Sequence, residues 1–218
     1  MTRFAAALAL LATAAPTRAQ HVHIHADGQR HVHEAPVAGT VVTSAAPGLR
    51  LDAVNPPLGS AVGRAGATLA DGTYLSVVYG QPFVRGRTVF GGLVGWGAVW
   101  ATGAHTSTEL VVTRPILFGG TRVEPGLYSL FSTPRPDRWT FHLNRALGMH
   151  LADDYDEALN VAEADATPEA LGETVQALTL DFVPAGAVAG TAAGAAAGVD
   201  LRLQWDRTAV RVPIRPAP

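Results

Sequence analysis

The chain has 218 residues, of which 48% are hydrophobic and 16% charged, and its formal net charge is −2 at pH 7. Such a chain can bury one substantial core, and its mildly acidic surface attracts neither nucleic acid nor anionic lipid strongly. It contains no cysteine, which excludes disulfides, thiolate metal ligands and a cysteine nucleophile.

Residues 1–19 have the pattern of a secretory signal peptide. Arg3 precedes an apolar run from Phe4 to Ala15, and Thr17-Arg18-Ala19 is a small-x-small cleavage site. The apolar run is too short to span a bilayer and no later stretch qualifies, so we expect no membrane span. The sequence therefore predicts a periplasmic or extracellular protein that begins at Gln20.

A histidine-rich segment at residues 20–34 follows and holds five of the eight histidines, namely His21, His23, His25, His31 and His33. Alternate residues of a strand share one face, and the Asp27-Gly28 step favours a hairpin between the two groups. The register that we expect pairs His25 with His31 and His23 with His33, so that four imidazoles can meet at one Zn²⁺, Cu²⁺ or Ni²⁺ ion. The competing interpretation is a flexible polar tail whose histidines alternate by chance.

Residues 35–65 are rich in proline, glycine, alanine and serine, which indicates a linker with one short strand at residues 39–43. Residues 66–215 then have the alternation of β-strands, each with one apolar and one mixed face. The predicted strands are 73–79, 109–113, 126–132, 138–144, 174–182, 199–205 and 209–214. We therefore expect an all-β protein, an antiparallel, jelly-roll-like β-sandwich with a flexible histidine-rich extension.

Two shorter segments carry local predictions. Thr167-Pro168-Glu169 is typical of the start of a helical turn, with Thr167 as the cap and Pro168 at the first position. Residues 184–198 are a low-complexity run of alanine and glycine, which we interpret as a hairpin loop.

The segment between residues 81 and 108 is rich in glycine and aromatic residues, and it includes Arg85, Arg87 and Trp100. Apolar loops with a few polar groups often line ligand pockets, but buried aromatics also serve packing alone. Both interpretations remain open from the sequence. The candidate pocket residues are Arg85, Arg87, Trp100, His105, Asn144 and Tyr155.

The search for catalytic and nucleotide-binding motifs in the sequence gives little support to an enzyme. There is no Gly-x-Ser-x-Gly sequence, and no glycine-rich loop lies between a strand and a helix, so we expect no nucleotide or organic cofactor. Asp153, Asp154, Asp156 and Glu157 lack the alternation and the glycine of a calcium loop, which favours a solvated acidic turn. His105, His142 and His150 are scattered, and we expect them to be ordinary surface or core histidines.

Several motifs occur in a consistent order from Gly66 to Ile214. They are Tyr79-Gly80-Gln81-Pro82, Gly86-Arg87, Phe90-Gly91, Val99-Trp100, Thr102-Gly103-Ala104, Thr108, Gly119-Gly120, the run from Pro125 to Phe131, Trp139-Thr140, Leu143-Asn144 and Tyr155-Asp156. In these motifs the chain resembles a family of secreted bacterial proteins known as domain of unknown function 2911. The resemblance implies a secreted β-rich domain and carries no activity or cofactor.

The chain departs from the family pattern after Trp100. The pattern there reads Arg-Thr-Gly-Ala-Asn-Glu, whereas this chain has Ala101, His105 and Thr106 at the first, fifth and sixth positions. Pocket chemistry that depends on those charged and amide groups is not expected here, although His105 could supply a different polar group.

The most consistent functional interpretation is a non-catalytic binding module for an unknown small ligand, with a transition-metal site, Zn²⁺ or Cu²⁺, in its histidine segment. The alternative is a secreted, hydrolase-like enzyme with a pocket around Arg87, Trp100, His105 and Asn144. A purely structural role in the cell envelope would require neither a pocket nor ordered histidines.

Overall fold

The computed structural model of the chain describes residues 20–24, 30–34, 41–44, 60–185 and 198–218. Contacts divide the chain into two units, residues 1–36 and residues 37–218. The predicted signal peptide lies outside the described residues. Within those residues, no helix has the length and apolar character needed to cross a membrane.

The first unit contains the predicted hairpin, with strand β1 at Gln20–Ile24 and strand β2 at Arg30–Glu34 paired antiparallel. Its register pairs His21 with His33 and His23 with His31. The predicted register was wrong by two positions. The observed one brings Val22 opposite Val32, a pair of β-branched residues of the kind that stabilises antiparallel ladders. His25 lies outside the described residues.

The second unit confirms the all-β prediction, because it consists of two antiparallel sheets that are not closed into a barrel. The larger sheet has seven strands in the order β11-β10-β9-β6-β5-β4-β3. Its strands are β3 Val41–Ser44, β4 Ala61–Thr68, β5 Tyr74–Gln81, β6 Thr108–Val112, β9 Gly126–Thr133, β10 Trp139–Asn144 and β11 Asn160–Ala166. The sheet therefore extends into residues 35–65, the predicted linker.

The smaller sheet has four strands in the order β12-β13-β7-β8. They are β7 Ile116–Phe118, β8 Thr121–Val123, β12 Glu169–Pro184 and β13 Val199–Pro216. Strand β13 joins the two predicted strands at 199–205 and 209–214 into one, with a positive φ of 53° at Asp206 between them. Pro184 pairs with Val199, so residues 185–198 connect the strands of a hairpin, as predicted.

The core lies between the two sheets. Strands of the larger sheet contribute Leu75, Val77, Leu110, Leu130 and Trp139, and strands of the smaller sheet contribute Phe118, Leu180, Leu201, Leu203 and Trp205. All of these side chains are essentially inaccessible to solvent. The alternation of strands β5, β10 and β13 therefore predicted their inward faces correctly.

The predicted helical turn at Thr167 was wrong, because Glu169 already begins strand β12 and pairs with Ala209. Tertiary pairing with a long neighbouring strand outweighs the local capping signal. A single turn of 3₁₀ helix occurs instead at Glu157–Leu159, where the Asp156 side chain accepts a hydrogen bond from the Ala158 amide.

Candidate functional site

The chain leaves strand β5 at Gln81 and crosses to the smaller sheet. The Val84 amide donates to the Gln176 carbonyl at 2.8 Å, and the Leu178 amide donates to the Pro82 carbonyl at 2.9 Å. The Gln81 side chain, which is buried, donates to the Leu178 carbonyl at 3.0 Å. These bonds tie the start of the glycine- and aromatic-rich segment to strand β12 and direct the segment onto the shared core.

Aromatic rings from the segment and from both sheets meet in one cluster. Trp100 stacks on Trp205 with ring centroids 5.8 Å apart, and Phe90 meets Trp139 edge-on at 4.8 Å. Trp139 and Trp205 are fully buried, and their indole N–H groups have no hydrogen-bond partner within the described chain. Trp139 and Trp205 are therefore held in the cluster by ring contacts, without a hydrogen bond from either indole.

A cavity of about 300 Å³ opens beside this cluster, and we call it the aromatic cavity. Its described lining residues are Ser60, Pro82, Phe83, Arg85, Arg87, Leu93, Val94, Trp100, Gly103, Ala104, Leu151 and Trp205. The volume falls at the lower end of the range for small-ligand sites, and mostly apolar walls with a few polar groups are typical of such sites.

Two arginines stand at the aromatic cavity. The Arg87 guanidinium donates through Nη2 to the Phe83 carbonyl at 2.7 Å and through Nε to the Val84 carbonyl at 3.2 Å. The Arg85 guanidinium carbon lies 5.7 Å from the centroid of the Phe83 ring, within the range of a cation–π contact. Both cations are therefore positioned by the segment that forms the cavity.

A second cavity, of about 210 Å³, lies on the other side of Ala104 and contains His105, Ser107 and Glu109 among its lining residues. Ala104 lines both cavities. Since His105 lines this second cavity and Arg87 and Trp100 line the first, the predicted pocket residues do not share one site.

Glycines of the family-like motifs allow the loop at residues 100–108 to approach strand β5 closely. A Cβ atom at Gly80 would lie 1.9 Å from the Ala104 carbonyl oxygen, which no side chain can accept. The Trp100 indole donates to the Gly103 carbonyl at 2.9 Å, and the Thr108 hydroxyl donates to the Thr102 carbonyl at 3.0 Å. The motif thus fixes the wall that separates the two cavities.

Backbone strain is concentrated around the cavities. Arg85, Thr102, His105 and Leu151 all have φ between 50° and 69°, a region that non-glycine residues rarely adopt. Arg85 and Leu151 line the aromatic cavity, His105 lines the second cavity, and the Leu151 amide donates to the His105 carbonyl at 2.9 Å. Such residues cluster at ligand sites more often than elsewhere.

Asn144 and Tyr155 lie in a third place, on the face of the larger sheet that points away from the shared core. Asn144 donates to the Asn160 side chain and to the Asp156 carbonyl, both at 2.8 Å, and accepts from the Ala146 amide at 2.8 Å. Asn160 donates to the Tyr155 hydroxyl at 2.7 Å. These bonds fasten both ends of the 145–159 excursion to the sheet.

The same face carries a chain of a hydroxyl, an imidazole and a carboxylate. Thr133 Oγ1 lies 2.9 Å from His142 Nε2, and His142 Nδ1 lies 2.9 Å from Glu163 Oε1, which also accepts from Asn160 at 2.9 Å. A Glu163 carboxylate accepts from Nδ1–H, and in a neutral imidazole Nε2 is then the acceptor of the Thr133 hydroxyl proton. We call the set Thr133, His142, Asn144, Tyr155, Asn160 and Glu163 the polar network.

Burial raises the pKa of Tyr155, an effect that the hydrogen bond from Asn160 partly opposes and that the nearby carboxylates Glu157, Glu163 and Asp156 reinforce. The phenol therefore stays neutral throughout the physiological range. Its ring stands edge-on to Phe131 at 5.0 Å and to His142 at 5.9 Å, which covers the imidazole.

The six predicted pocket residues thus divide among three places: Arg85, Arg87 and Trp100 at the aromatic cavity, His105 at the second cavity, and Asn144 and Tyr155 in the polar network. The sequence reasoning missed Trp205, Phe83 and Leu93 as lining residues. Trp205 was recognised only as the apolar end of a strand, and no sequence signal connects that end to a loop 105 residues earlier.

Within residues 60–185 and 198–218, no group of three or more histidine, aspartate or glutamate side chains is close enough to hold a metal ion. His150 contacts Asp153 at 3.0 Å on the exposed surface. The acidic residues at 153, 154, 156 and 157 are all exposed. The histidines of the first unit are described by their backbone register alone, with His21 and His23 opposite His33 and His31.

These observations define a two-sheet, all-β protein with an aromatic cavity beside its core and a histidine-bearing hairpin in a separate unit. The family model described as "Protein of unknown function (DUF2911)" matches residues 63–214, and the chain belongs to this family. No curated protein and no solved structure matches the chain.

Two of the three departures from the family pattern, Ala101 and His105, have clear structural settings. Ala101 is buried against Phe131 and Met149, where a small apolar side chain fits the packing. His105 has a φ of 69°, a conformation that asparagine adopts more readily than histidine.

Proposed function

We propose that the protein is a non-catalytic binding module that takes a small, largely apolar ligand into the aromatic cavity. The observation that carries this proposal is the cavity itself: about 300 Å³ beside stacked Trp100 and Trp205, with strained Arg85 and Leu151 at its walls. An apolar cavity with a few polar groups is what a small-ligand site requires.

The experiment is a calorimetric titration of the purified protein with 1-naphthylacetamide and 1-naphthylacetate, two probes that share one aromatic body. A Ser60→Trp variant, which adds bulk at a lining position, should lose the binding, and a Thr167→Trp variant, at an exposed position outside the described lining, should retain it. Absence of heat with both probes, or equal binding by the two variants, would contradict the proposal.

We propose that the histidine hairpin captures Zn²⁺ or Cu²⁺. Support comes from its register, which puts His21 opposite His33 and His23 opposite His31 with one residue between the pairs. Positions two apart on a strand share a face, so these four positions lie on one side of the ladder. Imidazole is a ligand that both metals accept, and a bound ion would order a two-stranded ribbon that is marginal alone.

Metal capture is tested with the full protein by titrating Zn²⁺ and Cu²⁺ into the unsubstituted chain and into a His23→Asn, His31→Asn double variant. The double variant should lose the tightest binding event and the proton release that accompanies it. His150→Asn is the matched control, because it removes an exposed histidine of the second unit. Equal metal uptake by the double variant and the control would refute the hairpin site.

We also propose export to the periplasm or the extracellular space with cleavage after Ala19, which the signal-peptide pattern of residues 1–19 supports. Mass spectrometry of the protein recovered outside the cytoplasm should give Gln20 as its first residue. Recovery only from the cytoplasm with Met1 intact would contradict it.

A second candidate function, a secreted hydrolase-like enzyme, is favoured by one observation, the Thr133–His142–Glu163 chain with its 2.9 Å contacts. A hydroxyl within reach of a base that a third group orients is the arrangement of an activated nucleophile. It ranks second because Thr133 is only 6% exposed and lines neither described cavity. Hydrolysis of p-nitrophenyl acetate that is lost in Thr133→Val and in His142→Gln would support it, and hydrolysis unchanged in both would exclude it.

A further inference from the structure

We infer that the ligand of the aromatic cavity is a small amphipathic carboxylate, whose apolar body lies against the aromatic wall and whose anion pairs with Arg87. This inference rests on the proposed function and names the chemical class of its ligand. It follows from the charge of the cavity, the way Arg87 is held and the scarcity of other polar groups.

The described lining of the aromatic cavity is cationic. It includes Arg85 and Arg87 and no aspartate or glutamate, although the chain as a whole carries a formal net charge of −2. The Arg87 guanidinium beside apolar walls favours an anion at the mouth and disfavours an amine or another cation.

Arg87 is fixed in place and keeps hydrogen-bonding capacity. Its Nε and one Nη2 proton are used by the Val84 and Phe83 carbonyls, which hold the guanidinium plane without neutralising its charge. A guanidinium has five N–H donors, and Arg87 forms no ion pair with a carboxylate of the described chain. A positioned and uncompensated guanidinium is a preferred partner for a carboxylate.

The remaining walls suit a flat apolar body. Phe83, Trp100 and Trp205 form the inner surface, and Leu93 and Leu151, which are 47% and 37% exposed, stand at the mouth. Ser60 is the one neutral side chain with a hydroxyl among the described lining residues. A sugar would leave most of its hydroxyls without partners there, at a cost for each buried group, so a polyol is disfavoured.

The test compares 1-naphthylacetate with 1-naphthylacetamide, which have the same aromatic body and differ in charge. The carboxylate should bind about tenfold more tightly or better, because a charge-assisted hydrogen bond is stronger than a neutral one, and added salt should reduce this preference. Equal affinities would overturn the inference and leave the proposed function intact, whereas absence of binding by either probe would overturn both.

Two variants test whether Arg87 causes the preference for the carboxylate probe over the amide probe. Arg87→Gln should abolish it, but this change also removes the bonds to the Phe83 and Val84 carbonyls. Leu93→Glu is therefore the second variant, since an exposed position at the mouth accepts a carboxylate without disturbing the core and should weaken binding of the anion far more than binding of the amide. Arg122→Gln is the control, because Arg122 is exposed, pairs with Glu124 and is absent from the cavity lining. A preference that survives both Arg87→Gln and Leu93→Glu would refute the role of Arg87.

Discussion

The aromatic cavity and the polar network differ in what their polar groups do. In the polar network donors and acceptors satisfy one another: Asn144 alone makes three hydrogen bonds of 2.8 Å within the chain. At the aromatic cavity the polar groups are few, and Arg87 keeps its charge uncompensated by any described carboxylate. The polar network uses its hydrogen bonds within its own fold, whereas Arg87 at the aromatic cavity uses only part of its five donors within the described chain.

This difference explains why the residues predicted to form one pocket lie at separate places in the structure. Arg87, Trp100, His105 and Asn144 are all polar or aromatic and were grouped by residue type, but Asn144 is fully buried and committed to the 145–159 excursion. A buried amide with every bond made within the chain is a structural group. The comparison therefore predicts that network substitutions change stability, whereas cavity substitutions change binding.

Gly80→Ala should have the largest effect and should perturb both cavities. Its Cβ would lie 1.9 Å from the Ala104 carbonyl oxygen and 2.7 Å from the carbonyl carbon, so the backbone must move. We expect a loss of about 3 kcal/mol in the free energy of unfolding, as for severe overpacking, together with weaker binding of 1-naphthylacetate. Denaturant unfolding and calorimetry measure the two effects.

The matched control for Gly80→Ala is Gly172→Ala, because a Cβ atom at Gly172 meets nothing within 4 Å and its φ is not positive. That variant should be nearly neutral in both measurements. Similar losses in the two glycine variants would mean that the close approach of Gly80 to Ala104 is not what holds the cavity wall.

Asn144→Ala should lower stability and leave binding nearly intact. The substitution removes three hydrogen bonds and leaves the Ala146 amide without its partner, whereas the Asp156 carbonyl keeps the bond from the Leu159 amide. The expected cost is about 3 kcal/mol. Affinity for 1-naphthylacetate, measured where the variant is folded, should change less than about threefold, because neither Asn144 nor its bonding partners line the cavity, although Leu151 of the same excursion does. A parallel loss of affinity would show that the excursion couples the two regions.

Alkaline pH should lower the stability of the fold through its buried tyrosines, one of which, Tyr155, belongs to the polar network. Burial raises the pKa of Tyr155, so the unfolded chain loses its phenol proton first and stability falls as the pH rises through about 10 and above. Burial also raises the pKa of Tyr79 in the core, which contributes in the same direction. Thermal unfolding between pH 8 and pH 11 (roughly the window on either side of the ordinary phenol pKa) should show a shallower decline in Tyr155→Phe than in the unsubstituted chain. An identical decline of stability with pH in the two proteins would show that Tyr155 does not contribute to it.

Alternation in the sequence predicted the fold well where strands have strong β-formers on one inward face, as in Tyr74–Gln81 and Trp139–Asn144. It missed Ala61–Thr68, because alanine and glycine have weak strand propensity and this strand is stabilised by its two neighbours. It also missed the three-residue strands at 116–118 and 121–123, which are too short to show a period.

The candidate site was predicted in part for a related reason. Glycines, arginines and Trp100 in one segment left open whether the segment lines a pocket or only packs, and the aromatic cavity lies beside it. The wall supplied by Trp205 comes from a distant strand, and the partition between Arg87 and His105 depends on the close contact of Gly80 with Ala104. Such contacts are properties of the folded chain, which residue type and spacing do not encode locally.

The smallest expected effect is a gain in stability from His105→Asn, at the wall between the two cavities. His105 has a φ of 69°, a conformation in which asparagine is tolerated better, so the exchange should stabilise the fold by roughly 0.5–1 kcal/mol. His150→Asn is the matched control, since His150 is also exposed and has no positive φ, and its loss of an exposed contact with Asp153 should be worth little. Thermal unfolding of both variants measures the difference, and 1-naphthylacetate should bind His105→Asn unchanged because His105 is absent from the described lining of the aromatic cavity. A gain in stability accompanied by a loss of affinity would instead mean that the strained backbone conformation at His105 contributes to ligand binding in the aromatic cavity.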